Sequence, residues 1–466
     1  MIDALLWIGV ALSYLIGTFF ALDALWQGRT SQTTLAWMLG LVFLPFISVP
    51  LYAFFGSRRF HGYIRARRHG HEELDLLAQQ AIEKLEPWKQ PPRELTKPLI
   101  PLFFSAPLDG NATTLLTTGR DFYGKMFESI RAAKHSVCIQ FYILRSDVSG
   151  NLLGDLLCLK AKEGVKIYVI YDEIGSNSLQ RSYIKRLKNA GVHISPFNSS
   201  RYLRTRMQIN FRNHRKLVIC DGETAYVGGY NFADEYLGTG KVLPFWRDTH
   251  LKIEGPAALS FQIIFCEDWH WATHELPNLH WPDPVTKGTD KVMSIASGPA
   301  DKIDSASLYF THLIQTAKKR CWLVSPYFVP DDNLVYALEL AGLRGIDVRV
   351  LVPNKSDSWF VQQAMRDHIP KLQQCGVKFY SYRKGFLHQK VVIVDDDWSS
   401  IGSCNLDYRS LHINFELNAL VRSERLNKEV SDMLLADFED SVPTVISGHW
   451  WPQFLTKGAR LLSPLL

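Results

Sequence analysis

Two short apolar runs, NHRKLVICDG at 213–222 and LHQKVVIVDD at 387–396, open alike, with a histidine and then a lysine two residues on. The likeness continues downstream. From His214 the chain places Lys216 at +2, Asp221 at +7, Gly228 at +14 and Asn231 at +17, and from His388 it places Lys390, Asp395, Gly402 and Asn405 at the same offsets. With each residue type used at about 5%, four such matches from any of 15 histidines arise by accident with a probability on the order of 10⁻⁴, so the segments are copies. The preceding sequence repeats in the same order: SIRAAKHSVCIQFYI (129–143) with LIQTAKKRCWLVSPYF (313–328), KEGVKIYVIYD (162–172) with LRGIDVRVLVP (343–353), and NAGVHISPF (189–197) with QCGVKFYSY (374–382). Helical and strand-like segments alternate within each copy, which predicts an α/β architecture. Two copies are too few for a solenoid, so the expected form is a tandem pair of α/β domains, related by a pseudo-twofold axis and packed face to face. The Pro-rich stretch PNLHWPDPVTKGTDK (277–291) separates them, giving domains at 105–280 and 281–466.

The N-terminus adds a membrane element. Ala4–Leu22 carries no charge and Leu35–Gly56 is a second charge-free run, each near the roughly 20 residues a spanning helix needs. A transmembrane hairpin is therefore expected over 1–57. A cleaved signal is disfavoured, because the first run begins at Asp3 rather than at basic residues. Arg58, Arg59, Arg65, Arg67 and Arg68 follow the second run, whereas the connecting loop has Arg29 against Asp23. By the charge rule, everything after Gly56 lies on the cytoplasmic side. Residues 58–104 form a basic juxtamembrane segment, an amphipathic helix over 72–86 and a linker punctuated by Pro91, Pro92, Pro98 and Pro101.

A net charge of +6 favours anionic partners, nucleic acid and membrane surface alike, and seven scattered cysteines suggest neither a disulfide framework nor a zinc ribbon. The chain has no P-loop, dinucleotide fingerprint or nucleophile elbow. Cys266, His270 and His274 recur at helical spacing, but a fourth ligand is not apparent, so no metal site and no cofactor are expected.

On a strand, residues i and i+2 share a face, so each histidine and its lysine look into one space. Facing copies would collect two imidazoles, two ammonium groups, the amides of Asn231 and Asn405 and the hydroxyl of Ser403, which the first copy replaces with Gly229. Such a clamp fits a phosphodiester. Lysines neutralise its oxygens, one histidine attacks phosphorus, and the other protonates the leaving alkoxide and then deprotonates the incoming hydroxyl. Each imidazole needs a carboxylate on its second nitrogen; Asp248 is the expected partner of His214 and Glu416 that of His388. Asp221 and Asp395, at turns past the strands, are expected to fix local structure.

H-x-K-x(4)-D twice, with G-G or G-S and Asn downstream, resembles the paired HKD motif of the phospholipase D superfamily. The two-span N-terminus, the segment RTSQTTLAWMLGLVFLPFISVPLYAFFG and the terminal ARLLSPLL are similar, more narrowly, to the bacterial cardiolipin synthases. The resemblance covers almost the whole chain. It implies a phosphatidyltransferase of the bacterial inner membrane that moves a phosphatidyl group from one phosphatidylglycerol to another through a phosphatidyl-histidine, giving cardiolipin and glycerol. It carries over His214, Lys216, Asp221, His388, Lys390 and Asp395 as catalytic motif residues, with Asn231, Asn405 and Ser403 as phosphate contacts. We take His214 as nucleophile, a choice that the near-symmetric sequence leaves open. The same residues would serve a phospholipase D-type hydrolase or a nuclease. A basic and aromatic run, RYLRTRMQINFRNHRK at 201–216, suits either nucleic acid or anionic lipid; the hairpin favours anionic membrane lipid, so no nucleic-acid partner is expected.

Overall fold

The structure, a computed structural model, describes residues 2–26, 31–56, 72–197, 210–238 and 245–445. The juxtamembrane arginines, most of the basic run at 201–216 and the C-terminal ARLLSPLL lie outside the described residues. The chain divides into two units, Met1–Gly62 with Ser199–Phe211, and Tyr63–Asn198 with Arg212–Leu466.

In the first unit, α1 (Ile2–Trp26) is a continuous apolar helix, with a stretch at Trp7–Trp26 long enough to span a bilayer. The second expected span is two helices, α2 (Ser31–Phe43) and α3 (Pro45–Phe55). Pro45 is the cause: the residue before a proline is pushed out of the helical region, and Leu44 sits at φ −131°, ψ 53°. The helices pack through Ala21, Ala24, Leu41 and Tyr52. At Gly17 a Cβ would lie 2.3 Å from the Leu41 carbonyl oxygen, so only glycine permits this approach. Asp23, expected in the loop, lies within α1 and accepts a hydrogen bond from Tyr52 Oη at 2.8 Å. A carboxylate in an apolar hairpin is tolerated when so paired.

The second unit is built on one sheet. Its first half contributes β1 (Leu108–Leu116), β2 (Ser136–Phe141), β3 (Lys166–Tyr171), β4 (His193–Pro196), β5 (Leu217–Cys220), β6 (Thr224–Gly228) and β7 (His250–Glu254). The second contributes β8 (Asp290–Ser297), β9 (Arg320–Val324), β10 (Asp347–Pro353), β11 (Lys378–Tyr382), β12 (Val391–Val394), β13 (Trp398–Gly402), β14 (Glu416–Arg422) and β15 (Ser441–Pro443). The strand order is β15-β11-β10-β9-β12-β13-β14-β8-β1-β7-β6-β5-β2-β3-β4. Read outward from the β8–β1 seam the two halves match strand for strand, with β15 added at one edge. The duplication is thus joined edge to edge, and β6 also lies against β13 and β14 of the other half.

The strands are almost wholly buried runs of Val, Ile and Leu, as a sheet covered by helices requires. Local signals repeat too: helices Val148–Lys162 and Asp332–Leu343 both begin on an aspartate, Asp147 or Asp331, that accepts from the backbone N–H three residues on. The amphipathic helix α4 (Glu72–Leu85) packs on helix Ala257–Thr273, burying Ala81 and Leu85, while Lys84 bonds the Trp281 carbonyl and pairs with Asp283.

Candidate active site

His214 and Lys216 lie in the extended lead-in to β5, and His388 and Lys390 in that to β12. Each lead-in is hydrogen-bonded to a segment of the other copy. His214 N–H donates to the Phe415 carbonyl at 2.9 Å and Phe415 N–H to the Arg212 carbonyl at 2.8 Å; His388 N–H donates to the Arg247 carbonyl at 2.7 Å and Phe386 N–H to the Phe245 carbonyl at 2.9 Å. The residues after Phe415 and Arg247 are Glu416 and Asp248. Crosswise pairing follows: His214 Nδ1 lies 2.9 Å from Glu416 Oε2, and His388 Nδ1 lies 2.5 Å from Asp248 Oδ2. The expected assignment, Asp248 to His214 and Glu416 to His388, is therefore corrected. Within one copy β6 lies between the histidine strand and the carboxylate strand, whereas across the two copies their lead-ins are hydrogen-bonded neighbours.

Lys216 and Lys390 are buried with their histidines; Lys216 Nζ donates to the His214 carbonyl at 2.6 Å, and Lys390 Nζ to the His388 carbonyl. Tyr142 meets the His214 ring at 5.0 Å and Trp246 meets the His388 ring at 4.9 Å, so each imidazole has an aromatic wall. Behind them stand two buried ion pairs. Arg215 Nη1 reaches Asp268 at 2.8 Å while its Nε donates to the Glu416 carbonyl, and Arg247 is bidentate to Asp437 at 2.8 and 2.9 Å. Asn213 and Gln140 also donate to Asp268, and Gln389 to Asp437. None of these supports was singled out from the sequence. The signal was an arginine or glutamine between each His and Lys, which strand alternation turns away from the site and towards the helices.

Gly229 and Ser403 hold equivalent places with different uses. Ser403 Oγ donates to Glu416 Oε2 at 2.5 Å and accepts from Leu417 N–H, so it holds the carboxylate rather than presenting its hydroxyl to a phosphate. At Gly229 a Cβ would lie 2.0 Å from Asp248 Oδ1, and this carboxylate is held instead by Thr249 N–H at 2.8 Å. Gly229→Ala is expected to displace Asp248 and lower turnover about 10²-fold, against about 10-fold for Ser403→Ala, which removes one donor from a carboxylate left in place. Equal losses in steady-state assays would contradict this reading of the asymmetry.

Asn231 is also committed to the protein: its amide oxygen accepts from Ile143 N–H and its nitrogen donates to Tyr236 Oη at 2.9 Å. It fixes the loop rather than contacting phosphate. Asn405 differs, being buried beside Asp407 with an amide oxygen that has no hydrogen-bond partner.

Asp221 and Asp395 lie at the far ends of the motif strands, roughly 23 Å of extended chain from their histidines. Both are left-handed, at φ 54° and 51°. Asp221 accepts from Lys134, His135 and Ser136 N–H, and Asp395 from Lys318, Lys319 and Arg320 N–H. They tie the motif turn to the neighbouring strand, the structural role expected from their place past the strands, so the catalytic role implied by the resemblance is corrected. Asp221→Ala or Asp395→Ala should destabilise by about 2–4 kcal/mol in denaturant titration, and the Asn variants by less, with little change in turnover per folded molecule.

Electrostatics set the resting protonation. Burial pushes His214 down to about 4 against the pull of Glu416, and burial with the Lys390 ammonium pushes His388 down to about 3. Burial also lowers Lys390 to about 8 and holds Lys216 well below its usual value. Burial alone would protonate the two carboxylates. His214 and Lys216 nevertheless hold Glu416 low, and Lys390 and His388 hold Asp248 low. At neutral pH both imidazoles are neutral, donate Nδ1–H to a carboxylate, and keep a lone pair on Nε2. Among the described residues no group of three or more His, Cys, Asp or Glu is arranged to hold a metal ion; Cys266 and His270 are buried in helix Ala257–Thr273, and His274 lies past its end.

Comparison with known proteins identifies the family. Residues 126–241 and 310–438 match a family described as cardiolipin synthase, PLD-like domain, and residues 5–57 match one described as phospholipase D-nuclease N-terminal. Cardiolipin synthase A of Pseudomonas putida is 40% identical over 469 residues, covering 98% of this chain and 97% of its own. The Pseudomonas aeruginosa (strain LESB58) protein of that name is 40% identical over 463 residues, covering 97% and 94%. Among solved structures, phosphatidylserine synthase from Haemophilus influenzae Rd KW20 superposes with a TM-score of 0.59 at 13% identity, over 76% of this chain and 95% of that one, which shows a shared fold. With both motif-bearing halves matched and relatives alike over nearly their full length, the chain belongs to the cardiolipin synthase family of the phospholipase D superfamily.

Proposed function

We propose that this protein is a cardiolipin synthase that joins two phosphatidylglycerols, releasing glycerol. The observation that carries the mechanism is the pair of buried imidazoles, each held by a carboxylate from the opposite copy and flanked by a buried lysine. His214 Nε2 attacks phosphorus, the bond to the headgroup glycerol breaks, and His388 gives that alkoxide its proton. The bound phosphodiester anion supplies the counter-charge that lets His388 carry this proton despite its burial. A terminal hydroxyl of the second lipid then loses its proton to His388 and attacks, the P–N bond breaks, and His214 is regenerated. Lys216 and Lys390 neutralise the phosphoryl oxygens, and Asn405 reaches them only through its NH₂, which also donates to Asp407.

In this reading 1–57 anchors the chain as a two-pass hairpin in the bacterial inner membrane, 58–104 links, and 105–280 with 281–466 form one site on the cytoplasmic side. The two runs of apolar helix and the arginines after Gly56 support it.

The test is to supply the full-length protein in vesicles with headgroup-labelled phosphatidylglycerol and to resolve products by mass spectrometry. Cardiolipin with one glycerol per molecule supports the transferase; phosphatidic acid with glycerol makes water the acceptor and the enzyme a hydrolase. Adding phosphatidylethanolamine shows whether it competes as second substrate.

The pH dependence follows from the same groups. kcat, which reports the lipid-bound site in which His388 already holds its proton, should be level across neutral pH, with a limb on either side. Below, protonated His214 has no lone pair to attack with; above, neutral Lys390 no longer balances the phosphate. Lys390→Arg keeps its charge and should abolish the alkaline limb whatever its absolute rate. An alkaline limb unmoved in that variant would assign it to another group.

A further inference from the structure

The two histidines are buried at the edge of the sheet where the parallel strands β2, β3, β9 and β10 end. A phospholipid must bring its phosphate to this edge, yet its acyl chains cannot enter water cheaply. What surrounds the site is therefore informative. After β3, the Asp172 carboxylate accepts from Asn213 N–H at 3.1 Å on one oxygen and from Ile174 N–H at 3.0 Å on the other, fixing Ile174 beside the His214 lead-in. After β10, the equivalent connection of the second copy carries Asp357, which accepts from Tyr327 Oη at 2.7 Å, then Trp359 and Phe360 with rings edge-on at 5.1 Å. Phe245 precedes Trp246, the aromatic wall of His388, and its carbonyl receives Phe386 N–H.

These side chains are not packed away. Ile174 is 44% exposed, Phe245 41%, Trp359 51% and Phe360 49%. Single exposed apolar residues are ordinary on a protein surface. Here they stand on equivalent connections of both copies and on a catalytic lead-in; Ile174 and Phe245 are tied by hydrogen bonds to the segments that carry the histidines, and the exposed Lys355 precedes Trp359 and Phe360 in the chain. Aromatic rings with a nearby cation are the composition of an interfacial contact with anionic lipid.

We propose that Ile174, Phe245, Trp359 and Phe360 form a rim with which the catalytic unit itself enters the headgroup region of the bilayer, independently of the N-terminal helices. Lipid phosphates then reach the histidines while the acyl chains stay in the membrane. The occupant is the bilayer surface because the substrate's own chains have to be accommodated at this edge; in this the inference rests on the lipid reading above.

The experiment uses the full chain in phosphatidylcholine nanodiscs, with phosphatidylglycerol either embedded in the disc or supplied as dihexanoyl monomer in solution. Trp359→Ser/Phe360→Ser should lose at least about 10-fold on the embedded lipid and stay within about 2-fold on the monomer. Equal losses on both would make these residues part of the fold or site, and no loss on either would remove the rim; both results overturn the proposal. A second readout needs no turnover. The described cysteines are buried or half-buried, so a thiol fluorophore is directed to Phe360→Cys, or to Lys162→Cys at the opposite edge of the sheet, with the wild type as blank. Lipids brominated near the headgroup should quench the label at 360 and spare that at 162. Equal quenching overturns the rim even where phosphatidyl transfer fails, which separates this inference from the assignment of activity. Quenching at 360 that requires a protein partner or a second copy of the chain would likewise overturn it.

Discussion

Turnover of either single variant, His214→Ala or His388→Ala, falls by at least about 10³-fold, because the imidazoles do different work in one site. Without His214 there is no atom to carry the phosphatidyl group. Without His388 the departing alkoxide has no proton donor, although the intermediate's nitrogen is present. A substrate whose leaving group needs no proton separates the two. With the p-nitrophenyl ester of phosphatidic acid, His388→Ala should release a burst of nitrophenolate and accumulate phosphatidyl-His214, detectable by intact mass, whereas His214→Ala should stay inactive. Substantial turnover of the natural lipid by both variants would mean that the histidines do not share a site, and a burst from His214→Ala alone would make His388 the nucleophile.

Glu416→Gln and Asp248→Asn should each cost about 10²–10⁴-fold in turnover with little change in KM. A neutral amide cannot stabilise the imidazolium, and its NH₂ can impose the wrong tautomer on Nδ1. The crosswise geometry makes the sharper statement. Glu416 touches His214 and Asp248 touches His388, so Asp248→Asn should be rescued by the nitrophenyl substrate as His388→Ala is, and Glu416→Gln should resist rescue as His214→Ala does. Rescue of Glu416→Gln rather than Asp248→Asn would restore the pairing expected within each copy. Combining Glu416→Gln with His214→Ala should add almost nothing to the histidine variant alone, since residues acting as a unit are not additive.

Much of this was legible in one dimension. The motif's exact offsets, the repeated strands and their burial, the capping aspartates and the charge-free N-terminal runs depend on residue type and local period, which the chain carries wherever it goes. Even the turn role of Asp221 and Asp395 was visible, since a residue past a strand end is poorly placed to reach its beginning. The break at Pro45 was also written in the sequence, but a count of apolar residues does not register the conformation a proline imposes on the residue before it.

What tertiary structure decided is who meets whom. Glu416 stands 202 residues from His214 and Asp248 stands 140 from His388. Nothing local ranks those pairs above the alternatives within each copy; the choice is made by the parallel bridges that bind each histidine's lead-in to the opposite copy. Ser403 and Asn231 looked like phosphate ligands because a hydroxyl and an amide suit one, and only the folded geometry shows them already bonded to Glu416, Ile143 and Tyr236. The sequence by itself determined the reacting groups, two histidines and two lysines on duplicated strands. The tertiary structure decided their orientation and charge, because hydrogen-bond partners and burial are properties of non-local packing and no residue type encodes them alone.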